Sequence, residues 1–141
     1  MKLKKEIILI IGISAFIIIL ELVTNRITDE SVKKIEEEIM EINVALREIK
    51  DMEQGNDEYN KFKDELEKNI ENLKKDWFLK QDKLSIFSEH NELEKVSKCL
   101  IGLEENTKNE EYEIALEDGS EFVYWLNHIK EKDKLELKNI F

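Results

Sequence analysis

Between residues 32 and 49 the apolar side chains fall at Val32, Ile35, Ile39, Ile42, Leu46 and Ile49, in alternating steps of three and four through a mostly charged background. A mean step of 3.4 follows the turn of an α-helix and not the two-residue period of a strand, so this stretch buries its apolar atoms only as an amphipathic helix laid against other helices. The pattern recurs at Tyr59, Phe62, Leu66, Ile70, Leu73 and Trp77, then at Leu93, Val96, Leu100 and Leu103, and again at Tyr112, Ala115, Phe122, Leu126 and Ile129. No proline and only four glycines occur in 141 residues, too few for a fold rich in loops or β-turns. The reading is all-α.

Capping residues suggest the boundaries. The first amphipathic helix is expected to start near Thr28 or Ser31 and to end around Gln54 and Gly55, and the second to open at Asn56 or Asp57 with room to run through Leu84 to Phe87. A third has starts available at Ser88 or at Asn91, the latter with Glu94 three residues on. The last is expected from near Asn109 to about His128. A shift of 54 positions carries Ile39, Ile42, Leu46 and Ile49 onto Leu93, Val96, Leu100 and Leu103, and a shift of 53 carries "NDEY" onto "NEEY". Two copies of a helical hairpin bury their seams against each other as a four-helix bundle. Gly119, which falls where the first copy has Leu66, would then mark a close helix approach.

Ahead of this body stands "EIILIIGISAFIIILELV", residues 6–23, behind the basic "MKLKK". Residues 7–24 make about 27 Å of helix against a hydrocarbon core of about 30 Å. Small residues of an A-x-A kind do not follow the run, and Gly12, Ser14 and Ala15 lie within it, so an uncleaved signal anchor is expected rather than a leader. The expected organisation is a basic segment and transmembrane anchor over residues 1–26 and an acidic helical domain over 27–141. Three lysines and the amino terminus precede the span, which favours a cytoplasmic N-terminus, with the C-terminal domain outside the cytoplasmic membrane. Glu21 would lie near the outer interface, within reach of water or of a partner's transmembrane helix.

Lys2, Lys4, Lys5 and Arg26 against Glu6 and Glu21 give the first 26 residues a charge of +2, so with a total of −11 the remainder carries −13. Such a body has no electrostatic route to a phosphate backbone, and nucleic acid is not expected as a partner. Cys99 is the sole cysteine, which excludes an internal disulfide and a multi-thiolate metal site. Gly-rich phosphate loops, H-E-x-x-H, G-x-S-x-G, EF-hand loops and CxxC are all absent, so catalysis is not expected and no cofactor or metal is assigned. His90 near Glu89 and Glu92, and His128 near Glu131, are the residues that could join a carboxylate at a divalent metal, but histidines among 33 acids acquire acidic neighbours by chance. Trp77 and Trp125, at or beside the seams, read as core packing. The tail residues Leu135, Leu137, Ile140 and Phe141 would pack back on the bundle or dock a partner.

From Trp77 onward, "KLSIFSEHNELEKV" and the later "LNHIKEKDKLELKNIF" resemble an uncharacterised domain-of-unknown-function family of short, single-anchor, all-helical proteins from clostridia and related spore-forming Gram-positive bacteria. Trp77, His90, Glu92, His128, Leu135, Leu137, Asn139 and Ile140 stand at its pattern positions, and Leu84 stands where a second tryptophan is usual. The resemblance implies the same architecture and an integral membrane protein as partner, and brings no activity and no role for Trp77, His90, Glu92, His128 or Asn139.

The function expected from these readings is that of a non-enzymatic accessory or scaffold protein, whose extracytoplasmic helices bind a membrane or envelope protein through Glu21 and the Val32, Ile35, Ile39 and Ile42 face. That face could equally pair two copies as a short coiled coil. The alternative is an extracytoplasmic ligand- or cation-sensing domain.

Overall fold

The computed structural model describes the backbone of residues 2–85 and 88–138, and the side chains of residues 8–23, 26, 29, 30, 32–85 and 88–132. Among them lie four α-helices, α1 Lys2–Lys50, α2 Asp57–Leu84, α3 His90–Lys108 and α4 Tyr112–Lys138. Each packs on its neighbour in sequence, and α4 closes the ring against α1. Cross-helix pairs fix the directions: as α1 descends from Lys50 to Glu36, its ion-pair partners on α4 climb from Glu113 to Lys130. Likewise Trp77 and Lys63 of α2 meet Ser97 and Glu110 in reversed order. The result is an up-down-up-down bundle, as the two-hairpin reading expects.

The seams fill its centre. Val32, Ile35, Ile39, Ile42, Leu46 and Ile49 of α1 are buried against the corresponding rows of α2, α3 and α4. Each such aliphatic side chain removed from water contributes about 1.5–3 kcal/mol, which is why the 3/4 spacing dictates the fold. The largest rings come from diagonal helices and meet in the middle: Trp77 of α2 and Phe122 of α4 pack edge-to-face with centroids 5.9 Å apart. Gly119 does mark a close approach. A Cβ there would sit 2.1 Å from Asn43 Oδ1 on α1, so alanine fits only if the Asn43 side chain moves aside.

Helix α1 ends at Lys50 rather than around Gln54, α4 runs on to Lys138 rather than stopping near His128, and three helix starts differ from expectation, each for a physical reason. The apolar head and the first bundle helix form one uninterrupted helix of 49 residues, with no break near residue 26. "TNRITDES" contains neither proline nor glycine, and Arg26 pairs with Glu30 at 3.1 Å one turn on, so nothing obliges the chain to leave the helix at Thr28 or Ser31. The start of α3 uses neither Ser88 nor Asn91: Glu89 occupies the N-cap position in an extended conformation and makes no side-chain cap bond. Finally, "NEEY" is not a second copy of the "NDEY" start. Asn56 caps α2 by accepting the Tyr59 N–H at 2.7 Å, whereas Asn109 closes α3. There Glu110 turns left-handed at φ 62°, and the N–H groups of Glu110 and Glu111 reach back to Thr107 O and Asn106 O as a Schellman motif, so α4 begins only at Tyr112.

Residues 8–23 of α1 project from the bundle as an arm. Twelve large apolar side chains on it, from Ile8 through Phe16 to Val23, are between 43% and 69% exposed. Among the described residues no helix is long and apolar enough to cross a membrane. These 16 residues give about 24 Å of helix, and Ile7 and Thr24, which extend the run in sequence, have side chains outside the described set. The described residues alone therefore do not supply the transmembrane helix expected from the sequence.

Candidate functional site

The arm leaves the bundle at the end formed by the start of α1's seam, the last turn of α2, the first turn of α3 and the last turns of α4. This end carries four of the residues singled out in sequence, Trp77, His90, Glu92 and His128. Glu92, in the first turn of α3, is a carboxylate only 7% exposed. Its Oε1 lies 3.1 Å from Lys132 Nζ and 3.4 Å from His128 Nε2, both on α4. Lys132 also donates to Glu89 at 2.6 Å, so one ammonium closes the α3–α4 junction over two carboxylates. The hydrogen bonds that Lys132 donates to Glu89 and Glu92 raise its pKa to about 12, and the same contact holds Glu89 below the usual carboxylate range. Because Glu89 is spent on Lys132, it does not cap α3, which explains the bare N-cap. Glu92 lies where a helix N-terminus favours negative charge.

His128 is exposed on its outer side and extends an aromatic row on α4. Its ring stacks on Tyr124 at 6.4 Å and meets Trp125 edge-on at 5.6 Å. Lys95 of α3 sits 3.9 Å over the Trp125 ring. His90, the first residue of α3, is exposed, and no contact joins it to Glu92 or His128 among the described residues. Among the described residues no group of three or more His, Cys, Asp or Glu is arranged to hold a metal ion. At Glu92 the cationic position is filled by Lys132.

Deeper in the same end, Trp77 is fully buried, and its indole N–H donates to Ser97 Oγ at 2.8 Å. The Ser97 hydroxyl is in turn 3.0 Å from Leu93 O and 3.3 Å from Gln81 Oε1. Trp77 is thus a core residue whose one polar atom is satisfied across the α2–α3 interface, and Leu84 is buried beside this end. Asn139 lies outside the described residues, as do the tail positions Ile140 and Phe141, and the Leu135 and Leu137 side chains.

The expected partner face is corrected outright. Val32, Ile35, Ile39 and Ile42 are at most 3% exposed, because α2, α3 and α4 fill the seam from within the chain, and no surface is left there for a partner or a second copy. Glu21 is partly exposed on the arm. Sequence reasoning missed Lys132 and Ser97, and read Glu89 only as a neighbour of His90: a lysine and a glutamate 43 residues apart carry no local signal of meeting. Cys99 is buried, and burial pushes its thiol up to about 11, so it stays protonated at neutral pH.

An open groove of about 1010 Å³ lies along α2 and α3, lined by Glu67, Glu71, Lys74, Phe78, Glu104 and Lys108 among others. Its charges neutralise one another: Glu104 accepts from Lys108 at 2.8 Å and from Lys74, and Glu71 pairs with Lys75 at 2.8 Å. The hydrogen bonds from Lys108 and Lys74 hold Glu104 below the usual carboxylate range.

Compared with known sequences, residues 22–140 match the model of a family described as a domain of unknown function (DUF4363). The match begins within the apolar arm and takes in the whole bundle. No curated protein and no solved structure matches.

Proposed function

The chain belongs to the DUF4363 family, and from that premise we propose that it is a membrane-anchored, non-enzymatic accessory protein whose helical bundle binds a membrane or envelope protein. The observation that carries this reading is the arm: twelve large apolar side chains more than two-fifths exposed on residues 8–23, on the same unbroken helix as the bundle core. Exposed apolar surface of this extent is not tolerated in water and calls for a bilayer or a protein to cover it. With Ile7 and Thr24 the run is about 27 Å long, a mismatch with a hydrocarbon core of about 30 Å that local thinning and the flanking lysines accommodate at modest cost. Lys2, Lys4 and Lys5 set the N-terminus on the cytoplasmic side, so the bundle stands outside.

Expression of the full chain with a C-terminal epitope, followed by alkaline carbonate extraction and protease treatment of intact spheroplasts, tests the reading. Retention in the membrane pellet with the epitope lost to external protease is expected. Release into the carbonate supernatant would overturn the anchor, and protection of the epitope would reverse the topology.

A further inference from the structure

The α1–α2 side of the bundle carries a second groove, of about 450 Å³, quite unlike the first. Met40 and Val44 stand on α1 one turn apart, 57% and 52% exposed, and Phe62 of α2 faces them half-buried. Met40 and Val44 sit beside the buried seam rather than in it, so the bundle's own packing does not account for them, while Phe62, a seam position of α2, packs partly on the core and also lines the groove. Three carboxylates, Glu41, Glu48 and Glu65, rim the groove, and no lysine or arginine lines it. None of the three makes an ion pair among the described residues, whereas Glu104, Glu110 and Glu113 are each paired across helices with Lys74, Lys63 and Lys50. An apolar floor with an unneutralised acidic rim defines its complement: an apolar stripe flanked by positive charge.

Other occupants fit poorly. A second copy docking symmetrically through this groove would bring Glu41, Glu48 and Glu65 against the same residues of its partner. Lipid is out of reach, since Val44 stands about 30 Å along α1 from the last residue of the apolar arm. We propose that the groove between α1 and α2 is a docking surface for a basic amphipathic helix of a partner protein. The helix lays its apolar face on Met40, Val44 and Phe62 and sets its lysines or arginines against Glu41, Glu48 and Glu65. This rests on the accessory-protein reading above and names the surface that reading requires. Methionine suits such a site because its flexible thioether adapts to the apolar face it receives.

The full chain in nanodiscs of zwitterionic lipid, titrated with a fluorescent synthetic helix of about 18 residues carrying leucine on one face and lysine on the flanks, provides the test. Binding by anisotropy, above that of empty discs, is expected for this peptide and not for its counterpart with glutamate in place of lysine. Two variants, Glu41→Gln/Glu48→Gln/Glu65→Gln and Met40→Ser/Val44→Ser, should each weaken it about tenfold or more. A control with Glu53→Gln/Glu58→Gln/Glu111→Gln, at the end of the bundle away from the arm, should not, and circular dichroism on every variant confirms that the fold is kept. A photoreactive residue at position 44 should form an adduct with the peptide. Absence of binding, an equal loss in the control, or adducts only between two copies or with lipid would each overturn the proposal. Carbonate-resistant membrane retention is read separately, so failure of the groove leaves the anchor standing, and failure of the anchor is seen without the peptide.

Discussion

Tyr59 and Tyr112, 53 residues apart, join their hydroxyls in a buried hydrogen bond of 2.6 Å that links the diagonal helices α2 and α4 at the end of the bundle far from the arm. Burial, with the Tyr59 hydrogen bond second, pushes the Tyr112 hydroxyl above its ordinary range. Removing the Tyr59 hydroxyl strands that of Tyr112, while Tyr59 keeps the Glu110 carboxylate as a second partner. Tyr59→Phe and Tyr112→Phe are each expected to cost about 1–2 kcal/mol in urea unfolding, and the double variant less than the sum of the two.

The same tyrosine sets an alkaline limit. A phenol whose folded pKa is raised gives stability that is fully present below the unfolded value of about 10 and is lost as pH rises past it, because the unfolded chain then releases the proton more readily. Melting temperature should fall above that pH, and Tyr112→Phe should flatten the decline. An unchanged decline would assign it to other groups.

Gly119→Ala tests the α1–α4 contact. Helix propensity alone favours alanine by about 1 kcal/mol, but the new methyl collides with Asn43, and a net loss of about 1–3 kcal/mol is expected. Asn43 Oδ1 is buried and makes no hydrogen bond among the described residues. Asn43→Ala combined with Gly119→Ala should therefore recover the loss and rise above the parent chain in thermal unfolding.

At the α3–α4 junction, Lys132→Met removes the ammonium that Glu89 and Glu92 share. The Glu89 carboxylate is held below its ordinary pKa, so its stabilising contribution is present above about pH 4.5 and disappears as pH falls through the depressed value. The variant should melt lower at neutral pH and show a shallower acid decline between about pH 5 and 3. Parallel curves for the two proteins would remove the junction from the account.

Ser97→Ala leaves the Trp77 indole N–H buried without its acceptor, at a cost of about 1–3 kcal/mol. Trp77→Ala, which empties the centre beside Phe122, should cost about 3–5 kcal/mol. Urea unfolding followed by circular dichroism distinguishes the two magnitudes.

The bundle was legible in sequence because burial and period coincide: Ile39, Ile42, Leu46 and Ile49 could not face water, and their spacing leaves one geometry. Asn56 was legible as a cap, since the signal is local. Asn109 misled, because the same asparagine closes a helix when the residue after it turns left-handed, and that depends on what α3 and α4 pack against. The unbroken passage from arm to bundle was misread by trusting Thr28 and Ser31 as caps without asking what would end the preceding helix. Of the polar end, Glu92 and His128 were visible only as a pattern, and Lys132 not at all, since their meeting is a product of the antiparallel pairing of α3 and α4. Met40 and Val44 were hidden by the stronger seam beside them.

The continuity of α1 has a mechanical side. A helix without a hinge between arm and bundle acts as a lever: the stretch from residue 24 to residue 50 is about 40 Å long, so tilting the arm by about 10° swings the far end of the bundle sideways by about 7 Å. Any tilt imposed on the arm would thereby be converted into lateral displacement of the loops at the opposite end.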